Sequence, residues 1–159
     1  MRSLKDTDMH FPMFVDLTDK LVIVIGGGRI ATRRIKTLLQ FGCRIRVIAP
    51  QLSCELQELV NNGLIEYVCS IYMSGDLQDA FIAIAATNDR AVNHEIYLAA
   101  TAQSIHINII DKKEECSFFF PAVFESAEIC GGLVSKGGQA HSLVKQTAAD
   151  IRELLNGGK

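Results

Sequence analysis

Short apolar runs alternate with longer amphipathic stretches between residues 21 and 110. Four of the runs are rich in β-branched residues and have the length of strands buried on both faces: residues 21–25, 45–49, 81–86 and 106–110. A weaker run at residues 65–68 predicts one more strand. Apolar residues recur at helical spacing between the strands, at residues 30–41, 53–60 and 89–102, with a weak helical turn near Leu77.

Glycines and capping residues give these helices their predicted ends. Gly42 stands at the C-cap position of the first helix, Ser53 can cap the start of the second, and Gly63 follows its end. Strands that alternate with helices predict right-handed crossovers and an open parallel sheet. We therefore predict an α/β fold, a Rossmann-type doubly wound parallel sheet of about five strands.

The pattern changes after Asp111. Residues 118–124 and 128–135 predict two strands with no helix between them, and residues 139–155 predict a terminal helix. Pro121 confines the first of these strands to an edge or a bulge. Since exposed edges invite pairing with another chain, the two strands are predicted to form a small dimerisation segment.

Length, charge and cysteine spacing exclude several classes of protein. The 159 residues suit one domain with a small appendage, and the net charge of −2 argues against nucleic acid as a partner. No run is long enough to cross a membrane, and the first ten residues lack the apolar core of a secretory signal, so a cytoplasmic protein is expected. The five cysteines are scattered singly, which predicts reduced thiols and no metal site.

A glycine-rich turn joins the first strand to the first helix. The stretch from Gly26 to Ala31 satisfies the G-x-G-x-x-G/A pattern of dinucleotide-binding turns. In that pattern Gly26 permits the tight turn, Gly28 lets the backbone approach a pyrophosphate, and Ala31 allows close packing of the helix. The positive end of the helix then favours the phosphates, so the turn predicts a dinucleotide cofactor.

The end of the second strand departs from the usual dinucleotide site. The expected acidic residue is replaced by Pro50 and Gln51, whose backbone or side chain would have to hold the adenosine ribose. Arg44 and Arg46 suggest a 2'-phosphate, although alternation along the strand directs both away from its tip. The spacing leaves the choice between NAD and NADP open.

Two further turns lie on the same predicted edge of the sheet. Ala86 and Thr87 follow the fourth strand, where a small turn leaves room for the nicotinamide half of a cofactor, or where Thr87 or Asn88 caps the next helix. Asp111 ends the fifth strand. A carboxylate there is a candidate general acid or base, or a turn former.

Five segments together resemble one known family. The stretches FPMFVDLTDKLVIVIGGGRIATRR, RVIAP, AATNDRAVN, INIIDKKEECSFFFPAV and VSKGG follow one another as in the precorrin-2 dehydrogenase / sirohydrochlorin ferrochelatase family, the dehydrogenase part of siroheme synthase. The resemblance covers residues 11–155. It implies a cytoplasmic homodimer that binds NAD and oxidises precorrin-2 to sirohydrochlorin, and some members also insert ferrous iron.

The resemblance also implies roles for individual residues. Asp111 is the expected catalytic aspartate. The expected cofactor contacts lie in the glycine turn and in the other turns of the same rim. They are Gly26, Gly27, Gly28, Arg29, Ile30, Pro50, Gln51, Ala86 and Thr87. A substrate with many carboxylates calls for local basic and donor groups, and the expected substrate contacts are Ser135, Lys136, Gly137 and Arg33. Residues 1–113 are then the NAD-binding domain, 114–138 the dimerisation segment and 139–159 a shortened C-terminal helical segment.

Two departures from the family leave alternatives open. Ala140 and His141 stand where many members carry Ser-Pro, and the family's longer helical region, which helps to cover the tetrapyrrole, is not matched beyond Lys159. His141 either assists iron insertion or proton transfer near Asp111, or is an ordinary helix N-terminal residue. The alternatives to a dehydrogenase are an NAD(H)-sensing regulatory domain without catalysis and a chaperone for a tetrapyrrole or metal.

Overall fold

A computed structural model describes residues 10–136 and 140–157. The chain forms two compact units. Residues 15–118 make up the larger one, and the described residues among 1–14 and 119–159 make up the smaller one. The predicted domain boundaries at residues 113 and 138 remain predictions.

The larger unit is built on a five-stranded sheet. Its strands are β1 (Leu21–Ile25), β2 (Arg44–Ile48), β3 (Glu66–Val68), β4 (Ile82–Ala85) and β5 (His106–Ile109). They lie in the order β3-β2-β1-β4-β5, and every neighbouring pair is parallel. All residues of β1 and β4 are buried, as their continuous apolar sequences predict. The predicted Rossmann-type sheet is confirmed.

Three helices connect these strands: α1 (Arg29–Leu38), α2 (Cys54–Asn61) and α3 (Arg90–Ala102). A 3-10 turn, Leu39–Phe41, extends α1 to Gly42, which adopts the left-handed conformation expected of a C-cap. Ser53 caps α2 by accepting from the Leu56 amide. The suggestion that Thr87 or Asn88 caps α3 is wrong, because Asp89 accepts from the two first-turn amides and is the cap.

A turn at residues 74–79 takes the place of a helix between β3 and β4. Leu77 in this turn is fully buried and packs into the core cluster with Ile23 and Ile96. The weak helical signal there therefore marks an anchored turn, whose single apolar side chain fixes it to the sheet.

The smaller unit contains the antiparallel strands β6 (Ala122–Glu125) and β7 (Cys130–Leu133) and the helix α4 (His141–Gly157). Both strands are shorter than predicted. Residues 118–121 do not form a strand. Pro121 has no backbone N–H to donate to a neighbouring strand. Arg152 of α4 donates from Nε and Nη2 to the Val123 carbonyl, at 3.2 and 3.0 Å, and joins the helix to the hairpin.

Within the described residues, no helix combines the length and apolar character needed to cross a membrane.

Candidate active site

The carboxyl ends of all five parallel strands lie at one rim of the sheet. β1 pairs with β2 on one side and with β4 on the other, so the strand order reverses between β1 and β4. Ligands in open α/β sheets bind at this kind of switch point, outside the carboxyl ends of the strands. The sequence-predicted turns after β1, β2, β4 and β5 all belong to this rim.

The first two glycines of the turn after β1 are required by the protein's own backbone. Gly26 has φ +116°, and a Cβ there would lie 2.3 Å from the Ala86 carbonyl oxygen, in the turn after β4. A Cβ on Gly27 would lie 2.1 Å from the carbonyl oxygen of Gln51, in the turn after β2. The three rim turns therefore approach one another more closely than any side chain would allow.

Gly28 differs from its two neighbours. It is the N-cap residue of α1 in an extended conformation, and no atom lies within 4 Å of the position its Cβ would occupy. No side chain caps the helix there, and its first turn carries no acidic residue. The first-turn amides of α1 thus face an open cradle that a ligand backbone or phosphate can fill, which is the arrangement a dinucleotide needs.

Hydrogen bonds fix the glycine turn in place. The Ser53 amide donates to the Gly27 carbonyl at 2.9 Å, and the Thr32 hydroxyl donates to the Gly28 carbonyl at 3.0 Å. The hydroxyls of Thr32 and Ser53 lie 2.9 Å apart and share a hydrogen bond. Sequence reasoning missed this support, although a threonine on the inward face of α1 was a visible signal. The cradle is held before any ligand arrives.

The turn after β2 offers neither an acidic nor a free basic side chain at the strand tip. Pro50 and Gln51 are exposed there. Arg46 forms an ion pair with Glu66 on the neighbouring strand at 2.8 Å, and Arg44 donates to the Asp19 carbonyl at 3.4 Å. Both arginines are therefore held away from the tip, as alternation along the strand predicts.

The basic residues of α1 divide into exposed and inward-facing ones. Arg29 and Arg33 are exposed on the first turns. Arg34 is partly buried and donates to the side-chain oxygen of Asn108, a buried residue of β5 that in turn donates to the Phe118 carbonyl at 2.8 Å. Burial lowers the pKa of Arg34 to about 10. Of the two adjacent arginines, only Arg33 presents its charge to solvent as a ligand contact would require.

Asp111 lies just past the end of β5 and is held on both carboxylate oxygens. Arg90 donates to its Oδ1 at 3.0 Å, and Asn93 donates from Nδ2 to its Oδ2 at 3.0 Å. The Asn93 side-chain oxygen accepts from the Thr87 hydroxyl at 2.8 Å. Thr87 and Asp111, two residues predicted separately, are thus joined through a residue the sequence analysis did not select.

A charged cluster surrounds Arg90. Its guanidinium also donates to Glu115, whose other oxygen lies 3.0 Å from Nδ1 of His94. The hydrogen bond that Arg90 donates to Glu115 holds the pKa of Glu115 below its usual range. The same hydrogen bond, and after it the one donated to Asp111, raises the pKa of Arg90. Burial raises the pKa of the neighbouring Cys116 thiol, so that thiol stays protonated.

The predicted substrate contacts after β7 belong to the smaller unit. The Ser135 hydroxyl accepts from the Ala140 amide, just before α4, at 2.8 Å. Lys136 is exposed, Gly137 lies outside the described residues, and His141 is the exposed first residue of α4. Their part in substrate binding remains a prediction.

The rim of the larger unit therefore combines an open anion cradle with a fixed carboxylate. The cradle suits a dinucleotide, since Gly28 leaves space, the first-turn amides point outward, and Ile30 exposes an apolar surface beside them. The carboxylate suits proton transfer. Among residues 10–136 and 140–157, no three His, Cys, Asp or Glu side chains are grouped so that they would hold a metal ion.

Comparison with known proteins gives the site its context. Residues 13–122 match a family of putative NAD(P)-binding proteins. The chain is 55% identical over 145 residues to the probable multifunctional siroheme biosynthesis protein HemA of Ruminiclostridium josui, which covers 91% of this chain and 28% of that protein. It is 32% identical to the siroheme synthase of Actinobacillus pleuropneumoniae over 92% of this chain and 30% of that protein. The chain thus spans less than a third of these curated relatives.

A solved structure resembles most of the fold. It is SirC, a precorrin-2 dehydrogenase, with a TM-score of 0.76 and 30% identity over 91% of this chain and 71% of that chain. Both units of the present chain contribute to a match of this extent. The cofactor of the matched family is a nicotinamide dinucleotide, in agreement with the cradle at the rim. The chain belongs to the precorrin-2 dehydrogenase / sirohydrochlorin ferrochelatase family, which includes the dehydrogenase part of siroheme synthase.

Proposed function

We propose that this chain is an NAD-dependent precorrin-2 dehydrogenase that oxidises precorrin-2 to sirohydrochlorin in siroheme biosynthesis. The observation that carries the proposal is Asp111, fixed on the same rim as the glycine cradle and joined through Asn93 to the turn after β4. The membership of the chain in the dehydrogenase family supports the same activity. We also propose, from the family resemblance, that it works in the cytoplasm as a homodimer.

The rim residues would hold the dinucleotide at the switch point of the sheet. The amides after Gly28 and the Arg29 side chain would meet the pyrophosphate, and the Pro50–Gln51 turn would meet the adenosine ribose. We propose NAD in preference to NADP, because Arg44 and Arg46 are held elsewhere and no described basic side chain at the tip of β2 is placed for a 2'-phosphate. Ala86 and Thr87 would line the nicotinamide half.

The reaction removes one hydride and one proton from the macrocycle. A nicotinamide cofactor held at the rim in its oxidised form would supply the hydride acceptor. Asp111 takes the proton on its carboxylate, and the Arg90 and Asn93 hydrogen bonds orient that carboxylate before the substrate arrives. Arg33, Ser135 and Lys136 are proposed to pair with substrate carboxylates. Ferrous iron as a second substrate is a further proposal from the resemblance.

The proposal is tested with enzymatically prepared precorrin-2 under anaerobic conditions. NAD and NADP are supplied in separate reactions, and both the sirohydrochlorin spectrum and the reduced nicotinamide are recorded. We expect sirohydrochlorin and NADH to appear in equal amounts with NAD. Binding of NADH without any conversion would favour the regulatory domain, and binding of the tetrapyrrole without a need for NAD would favour the chaperone. A repeat with ferrous iron tests formation of siroheme.

A further inference from the structure

Asn93 is the residue that connects the two predicted halves of the site. We propose that Asn93 is a positioning residue of the dehydrogenase: it orients the Asp111 carboxylate and makes that orientation depend on the Thr87 turn, where the nicotinamide half of the cofactor would lie. This inference rests on the proposed function and names a residue that acts through Asp111.

The contacts of Asn93 use its whole side-chain amide. Asn93 is fully buried near the start of α3. Its oxygen accepts from the Thr87 hydroxyl at 2.8 Å and from the Thr87 amide at 3.3 Å. Its nitrogen donates to the Thr87 carbonyl at 3.2 Å and to Asp111 Oδ2 at 3.0 Å. One planar group thus joins the turn after β4 to the carboxylate after β5.

The chemistry of these contacts calls for a side-chain amide at this position. A carboxamide is the short group that presents acceptors and two donors in one plane, so it can accept from Thr87 and donate to Asp111 together. An aspartate at position 93 would keep the acceptor but set a second carboxylate against Asp111. An aliphatic residue would leave the polar groups of Thr87 and one oxygen of Asp111 without these partners.

The charges around Asp111 give the amide a directional role. Arg90 on Oδ1 supplies the positive charge, and Glu115 and His94 hold Arg90 on its other side. Lys112 and Lys113 follow in the chain. Asn93 is the neutral partner on Oδ2, so it orients the Asp111 carboxylate without adding a charge. A carboxylate that accepts a hydrogen bond on each oxygen has its plane fixed. A misplacement of a catalytic group by about 1 Å costs on the order of 100-fold in rate.

The first test separates positioning from general stability. Asn93→Ala is compared with the wild type and with Asn61→Ala, which removes an exposed asparagine at the end of α2. We expect Asn93→Ala to lower kcat on the order of 10- to 100-fold with the KM for precorrin-2 changed less than about threefold. Unchanged kcat, or a loss confined to KM and to thermal stability, would overturn the inference.

The second test uses Asn93→Asp with Asn61→Asp as its matched control. Two carboxylates in contact share a proton, so the acid side of the kcat–pH profile of Asn93→Asp is expected to move to higher pH. The control should keep the wild-type profile. A profile unchanged in Asn93→Asp would contradict positioning, and this test stands even where the alanine variant folds poorly.

A third measurement is independent of turnover. The side-chain amide protons of Asn93 are followed by NMR in the unliganded protein and in Asp111→Asn. We expect one of these resonances to shift in the variant, because its acceptor changes from a charged to a neutral oxygen. No shift would overturn the contact. If the resonance shifts between the two proteins but the wild type converts no precorrin-2, the contact is supported and the proposed function is contradicted.

Discussion

Three consecutive glycines serve different purposes at the scale of single residues. Gly26 and Gly27 lie against the carbonyl oxygens of Ala86 and Gln51, and each is needed for the rim turns to meet. Gly28 has ordinary extended dihedrals and open space beside it. The first two glycines therefore serve the fold, and the third leaves open the space that the proposed cofactor would occupy.

Alanine substitutions separate these purposes. Gly27→Ala places a methyl group against backbone that cannot move cheaply, so we expect the free energy of unfolding to fall by about 1–3 kcal/mol. Gly28→Ala should lower the unfolding temperature less than Gly27→Ala does, because Gly28 has open space beside it and only an N-cap preference is lost. The variant should weaken NADH binding, because its methyl group fills the cradle. Thermal unfolding and titration with NADH measure both effects, and the absence of tryptophan keeps the NADH fluorescence free of energy transfer from tryptophan. Equal destabilisation by both variants would contradict the division.

The carboxylate of Asp111 is expected to matter for turnover and not for cofactor binding. Asp111→Asn keeps the shape of the side chain and removes its capacity as a proton acceptor, so kcat should fall on the order of 10²- to 10⁴-fold with the affinity for NADH retained. Asp79→Asn, an exposed change in the turn before β4, is the matched control. Retained turnover in Asp111→Asn would remove Asp111 from the catalytic role.

At the scale of elements, α3 holds much of the candidate site together. Its first two turns carry Arg90, Asn93 and His94, which bind the rim turn before the helix and the 3-10 helix Lys113–Glu115 after β5. The cap at Asp89 sets where the helix begins and hence where these three side chains point. Movement of α3 would displace Arg90, Asn93 and His94 together.

The ion pairs between α3 and the 3-10 helix make stability depend on pH. The folded protein holds the pKa of Glu115 below its unfolded value of 4.5, so this carboxylate stabilises the fold above that pH and loses its effect as pH falls through the lowered pKa. We expect Glu115→Gln to be less stable than the wild type at pH 7, with the difference shrinking as the pH falls below 4.5 and toward zero in stronger acid. Chemical unfolding across this range measures it.

Its neighbour provides the control for that experiment. Glu114 has 63% of its side chain exposed, compared with 14% for Glu115, and forms an ion pair with Lys112 at 3.7 Å. Exposed pairs of this kind contribute little to stability. Glu114→Gln should therefore follow the wild type at every pH, and a similar pH-dependent difference in both variants would contradict the role of the Arg90 pair.

Sequence patterns predicted the elements better than the contacts between them. The apolar runs located β1 and β4, and Gly42 marked the end of the first helical segment, because burial and backbone conformation leave local signals. β6 was predicted too long, since apolar residues before Pro121 carry the same pattern as a strand. Thr87 and Asp111 were selected from their places at strand ends.

Asn93 was missed because its partners lie 6 and 18 residues away and no local pattern brings them together. Its signal was a polar residue among the inward positions of α3, three residues before the buried Ile96. A buried polar residue needs a hydrogen-bond partner, but only the register of β4 and β5 shows which residue that partner is.

At the scale of the whole molecule, the smaller unit leaves much apolar surface in water. Its exposed large hydrophobic side chains are Phe11, Met13, Phe14, Ile129, Val134, Leu143 and Leu154. A two-stranded hairpin has two edges and is marginal by itself, and α4 packs against β6 and β7 without covering these side chains. Of these residues, Ile129 and Val134 belong to the predicted dimerisation segment at residues 114–138, and their exposure supports that prediction.

A charge on this surface is expected to separate the proposed homodimer. Ile129 lies between β6 and β7 with 49% of its surface exposed, so Ile129→Lys should not disturb a packed core, but it would bury a charge in an interface. We expect the wild type to sediment as a dimer and the variant to raise the dimer dissociation constant by at least about tenfold, a cost of roughly 1.4 kcal/mol. Leu98→Lys, on the exposed face of α3 with 55% exposure, is the matched control and should remain dimeric.

Sedimentation equilibrium over a range of concentrations measures all three proteins, with thermal unfolding to show that each is folded. A monomeric wild type would contradict the homodimer, and a variant as dimeric as the wild type would place the interface elsewhere than the hairpin.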